Sequence, residues 1–263
     1  LSLALAAIML IGMMVVSASA VSYNDLTDKD QIVNKDAVSM LVSLGIIEGK
    51  PDGSYAPTEN VDRAQMAKML SVIMNKGVDN SALYQSVNSG LVDVNTNWAK
   101  GHINYCYTTG IIAGRGNGKF DPSATVTALE AAKMLLVAVG YDPAIEGFEG
   151  ADWAINVSVR ADEQGIFEGF TKDLSAPLNR DDAALLIYNA LDVEMIQSYT
   201  TNNYPIAYSD HRTILADKYG VIKVEGVVTA NEWAILDDDT DTALQEGKTR
   251  IYNPDGILST TGN

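Results

Sequence analysis

Gly45-Ile46-Ile47-Glu48-Gly49, Gly110-Ile111-Ile112-Ala113-Gly114 and Gly165-Ile166-Phe167-Glu168-Gly169 are three versions of one five-residue loop, and their recurrence decides how the rest of the chain is read. The leading glycines are 65 and 55 positions apart, the sign of a structural repeat with linkers of unequal length. A helical stretch precedes each loop. A turn follows it: Pro51-Asp52-Gly53-Ser54-Tyr55-Ala56-Pro57 in the first repeat, Gly116-Asn117-Gly118-Lys119-Phe120-Asp121-Pro122 in the second, and only a shortened version from Asp173 to Pro177 in the third.

Beyond each turn a second helix opens on a cap signal. Asp62 stands three residues before Gln65 and Thr127 three before Glu130, the spacing at which cap and N3 side chains satisfy each other's backbone amides; Asn179 before Asp182 is a weaker version. Apolar residues then recur at i, i+3, i+4, i+7 and i+8: Met66, Met69, Leu70, Ile73, Met74; Ala131, Met134, Leu135, Ala138, Val139; Ala183, Leu186, Ile187, Ala190, Leu191. Such a stripe is the core-facing side of an amphipathic helix. One helix-loop-helix unit cannot cover its own apolar face, so three are expected to share one core, with the second helices as the central bundle.

The 263 residues include 34 Asp+Glu against 18 Lys+Arg, a formal charge of −16. That field opposes a sequence-independent grip on nucleic acid or on anionic lipid. It also means that an anionic polymer is held only through local cations. The single cysteine, Cys106, excludes an intramolecular disulfide and reads as a small core residue. Residues 1–20, LSLALAAIMLIGMMVVSASA, are uncharged and end in Ala18-Ser19-Ala20, the pattern of a secretory signal peptide with its processing site, leaving no stable membrane span after cleavage; a transmembrane anchor is the alternative reading of a run this long. A start at Leu1, without Met or a basic leader, suggests that the true start lies upstream. From about Gln197 the chain turns Thr/Asn/Tyr-rich, and Tyr219 to Thr229 reads as strand sequence. Asp237 to Asp241 and Asn253-Pro254-Asp255-Gly256 read as turns, and the close of the chain at Asn263 as a truncated β-rich segment.

These repeats resemble the S-layer homology domain family across roughly residues 22 to 195. That family's pattern is an aromatic-x-Asp opening, an early Trp, the Gly-Ile-x-x-Gly loop, a Gly-x-Phe/Tyr-x-Pro turn and a Thr-Arg-Ala-Glu-like helix start. Here the opening is matched to Tyr23-Asn24-Asp25, with Leu91-Val92-Asp93 keeping only the Asp. Trp98 and Trp153 stand twelve residues before their loop glycines, where the first repeat has Val33. The helix starts are Asp62-Arg63-Ala64-Gln65, Thr127-Ala128-Leu129-Glu130 and Asn179-Arg180-Asp181-Asp182.

The resemblance implies a mainly α fold, three helix-loop-helix repeats in a pseudo-threefold arrangement around a central helical bundle, followed by the start of a small β-rich segment. The expected boundaries are 1–20 signal peptide, 21–80, 81–143 and 144–196 for the repeats, and 197–263 for linker and β-rich segment. It further implies anchoring of a secreted surface protein to a secondary cell-wall polysaccharide or peptidoglycan-linked glycan, often pyruvylated, with self-association in a surface layer as a further partner. Carried over by residue, the ligand-binding set is Arg63, Arg180, Trp98, Trp153, Gly49, Gly114 and Gly169. The arginines are expected to pair bidentately with a carboxylate, helped by free amides of the helix's first turn. The tryptophans stack on a sugar face, with wedging of the repeats as the alternative, and the loop glycines supply left-handed backbone. Only the third repeat keeps both Trp and Arg, so complete grooves are expected at two of three places at most, unless Trp98 combines with Arg63 across a repeat boundary.

No catalytic residue, cofactor or metal is expected. His102 and His211 are far apart in sequence, HExxH, GxSxG and Walker motifs do not occur, and Gly114-Arg115-Gly116-Asn117-Gly118 lacks the Gly-Lys-Ser/Thr ending of a phosphate loop. Two other roles remain open: an S-layer lattice subunit or spacer whose repeats bind weakly or not at all, and the anchor of an enzyme whose catalytic domain lies beyond the chain end.

Overall fold

The computed structural model describes residues 22–223, 226–233, 235, 244–252 and 258–261. The signal-peptide assignment and the Asp237–Asp241 and Asn253–Gly256 turns lie outside the described residues. The chain divides into two compact units, one running through Tyr219 and the other covering residues 220–263.

Six main helices build the first unit: α1 (Lys35–Ser43), α2 (Arg63–Met74), α3 (Lys100–Thr108), α4 (Ala128–Val139), α5 (Trp153–Glu163) and α6 (Arg180–Leu191). The caps form as the sequence predicts. Asp62 with Gln65 and Thr127 with Glu130 make complete capping boxes, while Asn179 only accepts from the Asp182 amide. Every stripe position is buried except Met74, which is half-buried at the fraying end of α2. Additional burial of Ala67 and Val72 on α2, and of Ala132 and Leu136 on α4, means that these helices are enclosed on more than one side.

The pairing of first and second helices is what sequence periodicity does not contain. α1 packs on α6, α3 on α2 and α5 on α4, so each first helix lies on the second helix of the preceding repeat and the first repeat closes onto the last. α4 contacts both α2 and α6. A ring of backbone hydrogen bonds ties the three helix entrances together: Val61 N donates to Leu178 O (2.8 Å), Leu178 N to Val126 O (2.8 Å) and Val126 N to Val61 O (2.9 Å).

The first two turns are each pinned by a carboxylate from earlier in the same repeat. Asp28 accepts from Tyr55 N (2.7 Å) and Ala56 N (2.8 Å), and Asp93 accepts from Phe120 N (2.9 Å) and Asp121 N (2.7 Å). Burial alone would raise the Asp93 carboxyl, but the two amides outweigh it and hold the group below its ordinary value. The pinned residues Ala56 and Asp121 sit at φ 57° and 62°, a left-handed conformation that disfavours an L side chain. Asp28, not Asp25, is thus the counterpart of Asp93, which corrects the opening read at Tyr23-Asn24-Asp25. Asp25 caps its own 3₁₀ turn by accepting from Ser22 N. Asp93→Ala leaves two amides without their acceptor at a strained turn and is expected to lower stability by about 2 kcal/mol in urea denaturation.

The first unit extends past residue 196. A hairpin of β1 (Ile196–Tyr199) and β2 (Pro205–Ala207) leads into α7 (Ile214–Tyr219). The Tyr199 hydroxyl accepts from Asp142 N (2.9 Å) and donates to Glu146 (3.0 Å), and the Tyr219 hydroxyl donates to Ile73 O (3.3 Å) on α2. Tyr219, read from sequence as the start of a strand, therefore ends a helix, because its ring covers the end of α2. The second unit is an antiparallel sheet in the order β3 (Val227–Asn231), β4 (Thr249–Tyr252), β5 (Leu258–Thr261). Among the described residues no helix is long and apolar enough to cross a membrane.

Candidate functional site

Arg63 opens α2, yet its side chain works across the boundary into the second repeat. Nε donates to Phe120 O (2.8 Å), Nη2 donates to Ala113 O (2.9 Å), and the guanidinium lies 4.3 Å from the centroid of the Phe120 ring. Arg180 repeats the arrangement between the third repeat and the first: Nε to Tyr55 O (2.8 Å), Nη2 to Glu48 O (3.0 Å), and 4.7 Å to the Tyr55 ring. Neither arginine pairs with Glu59 or Asp181. Each uses one edge of its fork to clamp a neighbouring loop and turn, leaving Nη1 without a hydrogen bond among the described residues.

The first-turn amides do not serve an anion as expected. Arg63 N donates to Ala124 O (2.9 Å) and Ala64 N to Pro122 O (2.9 Å), while Arg180 N donates to Glu59 O (2.8 Å) and Asp181 N to Pro57 O (3.1 Å). The adjoining turn already satisfies these donors, so the positive character at this place comes from side chains. Burial first, and the Arg115 guanidinium second, push Arg63 down to about 10. Arg63 is 4% exposed and has no carboxylate partner within ion-pair distance among the described residues. A buried cation held only by carbonyls is a place where an added anion is favoured.

Two grooves contain these arginines. One, of about 240 Å³, joins Gly49 and Lys50 of the first loop, Lys68 of α2, Trp98 of the second repeat and Arg180 of the third. The other, of about 590 Å³, joins Gly114 and Arg115 of the second loop, Lys133 of α4, Trp153 of the third repeat and Arg63 of the first. Each groove therefore draws on all three repeats: loop and second helix from one, Trp from the next, Arg from the one before. Trp98 is paired with Arg180 and Trp153 with Arg63, so no groove is made by a single repeat. Trp98 is 58% exposed, and Trp153 is half-buried with Lys133 Nζ 5.7 Å from its ring centroid.

Lys68 and Lys133 are groove residues that the sequence reading missed. They share one offset from the start of α2 and α4, and the apolar stripe drew attention to the opposite face. The third counterparts of Trp, Arg and Lys are Val33, Ala128 and Leu185, and all three fall at the third loop. Val33 N donates to Asp181 at the start of α6 (3.2 Å), Leu129 N beside Ala128 donates to Leu174 O (3.1 Å), and Leu185 lies against Gly169. Losses scattered over three repeats in sequence thus converge on one place. The aromatic residue that each arginine covers is also replaced there, by Lys172, which pairs with Asp182.

Left-handed backbone belongs to the leading loop glycines, Gly45, Gly110 and Gly165, at φ 69°, 79° and 70°. Of the closing glycines only Gly169 shares it (φ 75°), and Gly49 and Gly114 do not. At Gly114 the constraint is space instead, since a Cβ would lie 2.9 Å from Lys119 O. Gly49 and Gly114 line the two grooves and Gly169 lines neither.

Ser71, His102 and Asp79 adjoin in the order of a hydrolytic triad, with Ser71 Oγ 2.6 Å from His102 Nδ1 and His102 Nε2 3.7 Å from Asp79. Ser71 and His102 are buried at 5% and 4% exposure and line neither groove, and burial holds the imidazole below its ordinary value. The serine hydroxyl also bonds Lys68 O (3.0 Å), so the group joins α2 to α3 under Trp98. Cys106 is buried and its thiol is pushed up by that burial, as a core residue requires.

Residues 22–67 and 92–132 match the S-layer homology domain family, covering parts of the first two repeats. The chain is 29% identical over 253 residues to a cell surface protein of Thermoanaerobacter kivui, covering 94% of this chain and 30% of that protein. It is 32% identical over 113 residues to an S-layer protein of Bacillus licheniformis (43% of this chain, 12% of that protein). It is also 29% identical over 188 residues to an exoglucanase of Acetivibrio thermocellus (66% and 16%). The chain spans less than a third of the length of these relatives.

Proposed function

Because the chain belongs to the S-layer homology domain family through these segments, we propose that it anchors a secreted surface protein to the cell wall by holding an anionic, pyruvylated wall polysaccharide in two grooves. The observation that carries this reading is the buried Arg63, bonded only to carbonyls, beside Lys133 and Trp153 in a groove large enough for several sugars. A ketal carboxylate is the anion that the free guanidinium edge and the ammonium would share, and an indole face stacks on a pyranose. The same pairing recurs with Arg180, Lys68 and Trp98.

The cyclic packing of the helices and the ring through Val61, Val126 and Leu178 support a pseudo-threefold arrangement of the repeats. Two of its three inter-repeat grooves work and the third has lost its Trp, Arg and Lys together. The repeats are the non-catalytic part of the protein. That relatives carry names as different as S-layer protein and exoglucanase supports a role for the repeats that is separate from any one activity.

The test is co-sedimentation of the full chain with purified wall sacculi, before and after removal of the polysaccharide, beside the Trp98→Ala/Trp153→Ala variant. Binding is expected only to walls that keep the polysaccharide, and the double variant, which removes both grooves, is expected to lose well over roughly 10²-fold in affinity. Equal binding to stripped walls, or by a folded double variant, overturns the reading.

A further inference from the structure

The two grooves differ at one loop position, Glu48 in the first and Ala113 in the second, each followed by the closing glycine. Glu48 projects its carboxylate onto Lys68 (Oε2 to Nζ 3.0 Å) while its carbonyl accepts from Arg180 (3.0 Å). With alanine at the matching place, Lys133 has no carboxylate within ion-pair distance among the described residues and donates instead to Phe148 O. Lys50, the other cation of the first groove, is paired with Glu59. In the second groove Arg115 is paired with Glu130 (2.6 Å); Glu149 also lines this groove and acts on Lys133 from a distance, but among the described residues neither Arg63 nor Lys133 has a carboxylate within ion-pair distance.

We propose that Glu48 is a built-in competitor for the ligand's anion, which makes the groove at Trp98 the weaker site and the groove at Trp153 the one that the polymer fills first. The proposal rests on the two-groove reading above. The Glu48 side chain is 69% exposed, so an incoming carboxylate displaces it without unfolding anything, at the cost of an exposed ion pair. Such a pair accounts for about three- to fivefold in affinity. Cavity size points the same way: about 590 Å³ around Arg63 offers more enclosed space for neighbouring sugars than about 240 Å³ around Arg180.

The experiment is calorimetric titration of the full chain with the methyl glycoside of a pyruvate-ketal hexose, in two single-groove backgrounds. Trp98→Ala, which keeps the groove at Trp153, is expected to bind three- to fivefold more tightly, roughly, than Trp153→Ala. Adding Glu48→Gln to Trp153→Ala is expected to close that gap, and adding Ala113→Glu to Trp98→Ala to abolish the advantage. Glu48→Gln leaving affinity unchanged or lower overturns the role of Glu48 and leaves the grooves standing. Folded single-groove chains that both fail to bind overturn the groove reading together with it. If either tryptophan variant does not fold, Glu48→Gln in the otherwise unaltered chain gives the answer: a two-affinity isotherm collapsing to one supports the proposal, and an unchanged isotherm refutes it.

Discussion

Replacing Arg63 with alanine is expected to destabilise the repeat unit by about 3–5 kcal/mol in chemical denaturation, because it strips a buried clamp and not a surface charge. The variant loses two charge-assisted hydrogen bonds and the stacking on Phe120, and it leaves the Phe120 and Ala113 carbonyls facing a void. In a unit of this size the loss corresponds to a melting point lower by roughly 8–15 °C. Arg180→Ala follows the same pattern with a smaller cost, since Arg180 is half-buried. The chain already contains the relaxed form of this boundary: Ala128 stands opposite Lys172, where both the arginine and its aromatic partner are gone. A change below about 1 kcal/mol for Arg63→Ala would refute the clamp. The same geometry makes arginine-to-alanine variants poor probes of ligand binding, because lost affinity and lost folding arrive together. Substitution of the tryptophans separates the two.

Trp153→Ala is expected to weaken binding to immobilised wall polysaccharide by about 10²-fold or more, although it removes only one of two grooves. Both grooves lie on one compact unit, so a polymer held in one presents its next anionic unit to the other at high effective concentration. The monovalent glycoside should behave differently: calorimetry is expected to show stoichiometry falling from two to one, with the remaining site unaltered. Trp98→Ala should give the same stoichiometry. Three sites in the unaltered chain would contradict the convergence of Val33, Ala128 and Leu185 on a single lost groove. Two sites in Trp153→Ala would show that this indole is a structural wedge.

Sequence alone determined the local elements of this protein. Loop, turn, cap and apolar stripe are short-range patterns, fixed by backbone sterics and helical period within a few residues, and the α2, α4 and α6 caps and buried faces follow them. Arg63, Arg180, Trp98 and Trp153 came from the family resemblance, not from any local pattern. The sequence did not show which tryptophan meets which arginine, why Glu48 matters more than its neighbours, or that Asp28 rather than Asp25 pins the first turn.

Those answers depend on which surfaces meet. Each first helix buries its apolar side on the preceding repeat's second helix, and the entrance strands bond in a ring, so every groove takes its wall, clamp and floor from three different repeats. The choice among possible helix pairings is set by long-range side-chain packing, which leaves no period in the sequence. Only after that closure do Val33, Ala128 and Leu185, separated by up to 152 positions, come together at one place, apart from the two grooves that contain Trp98 and Trp153.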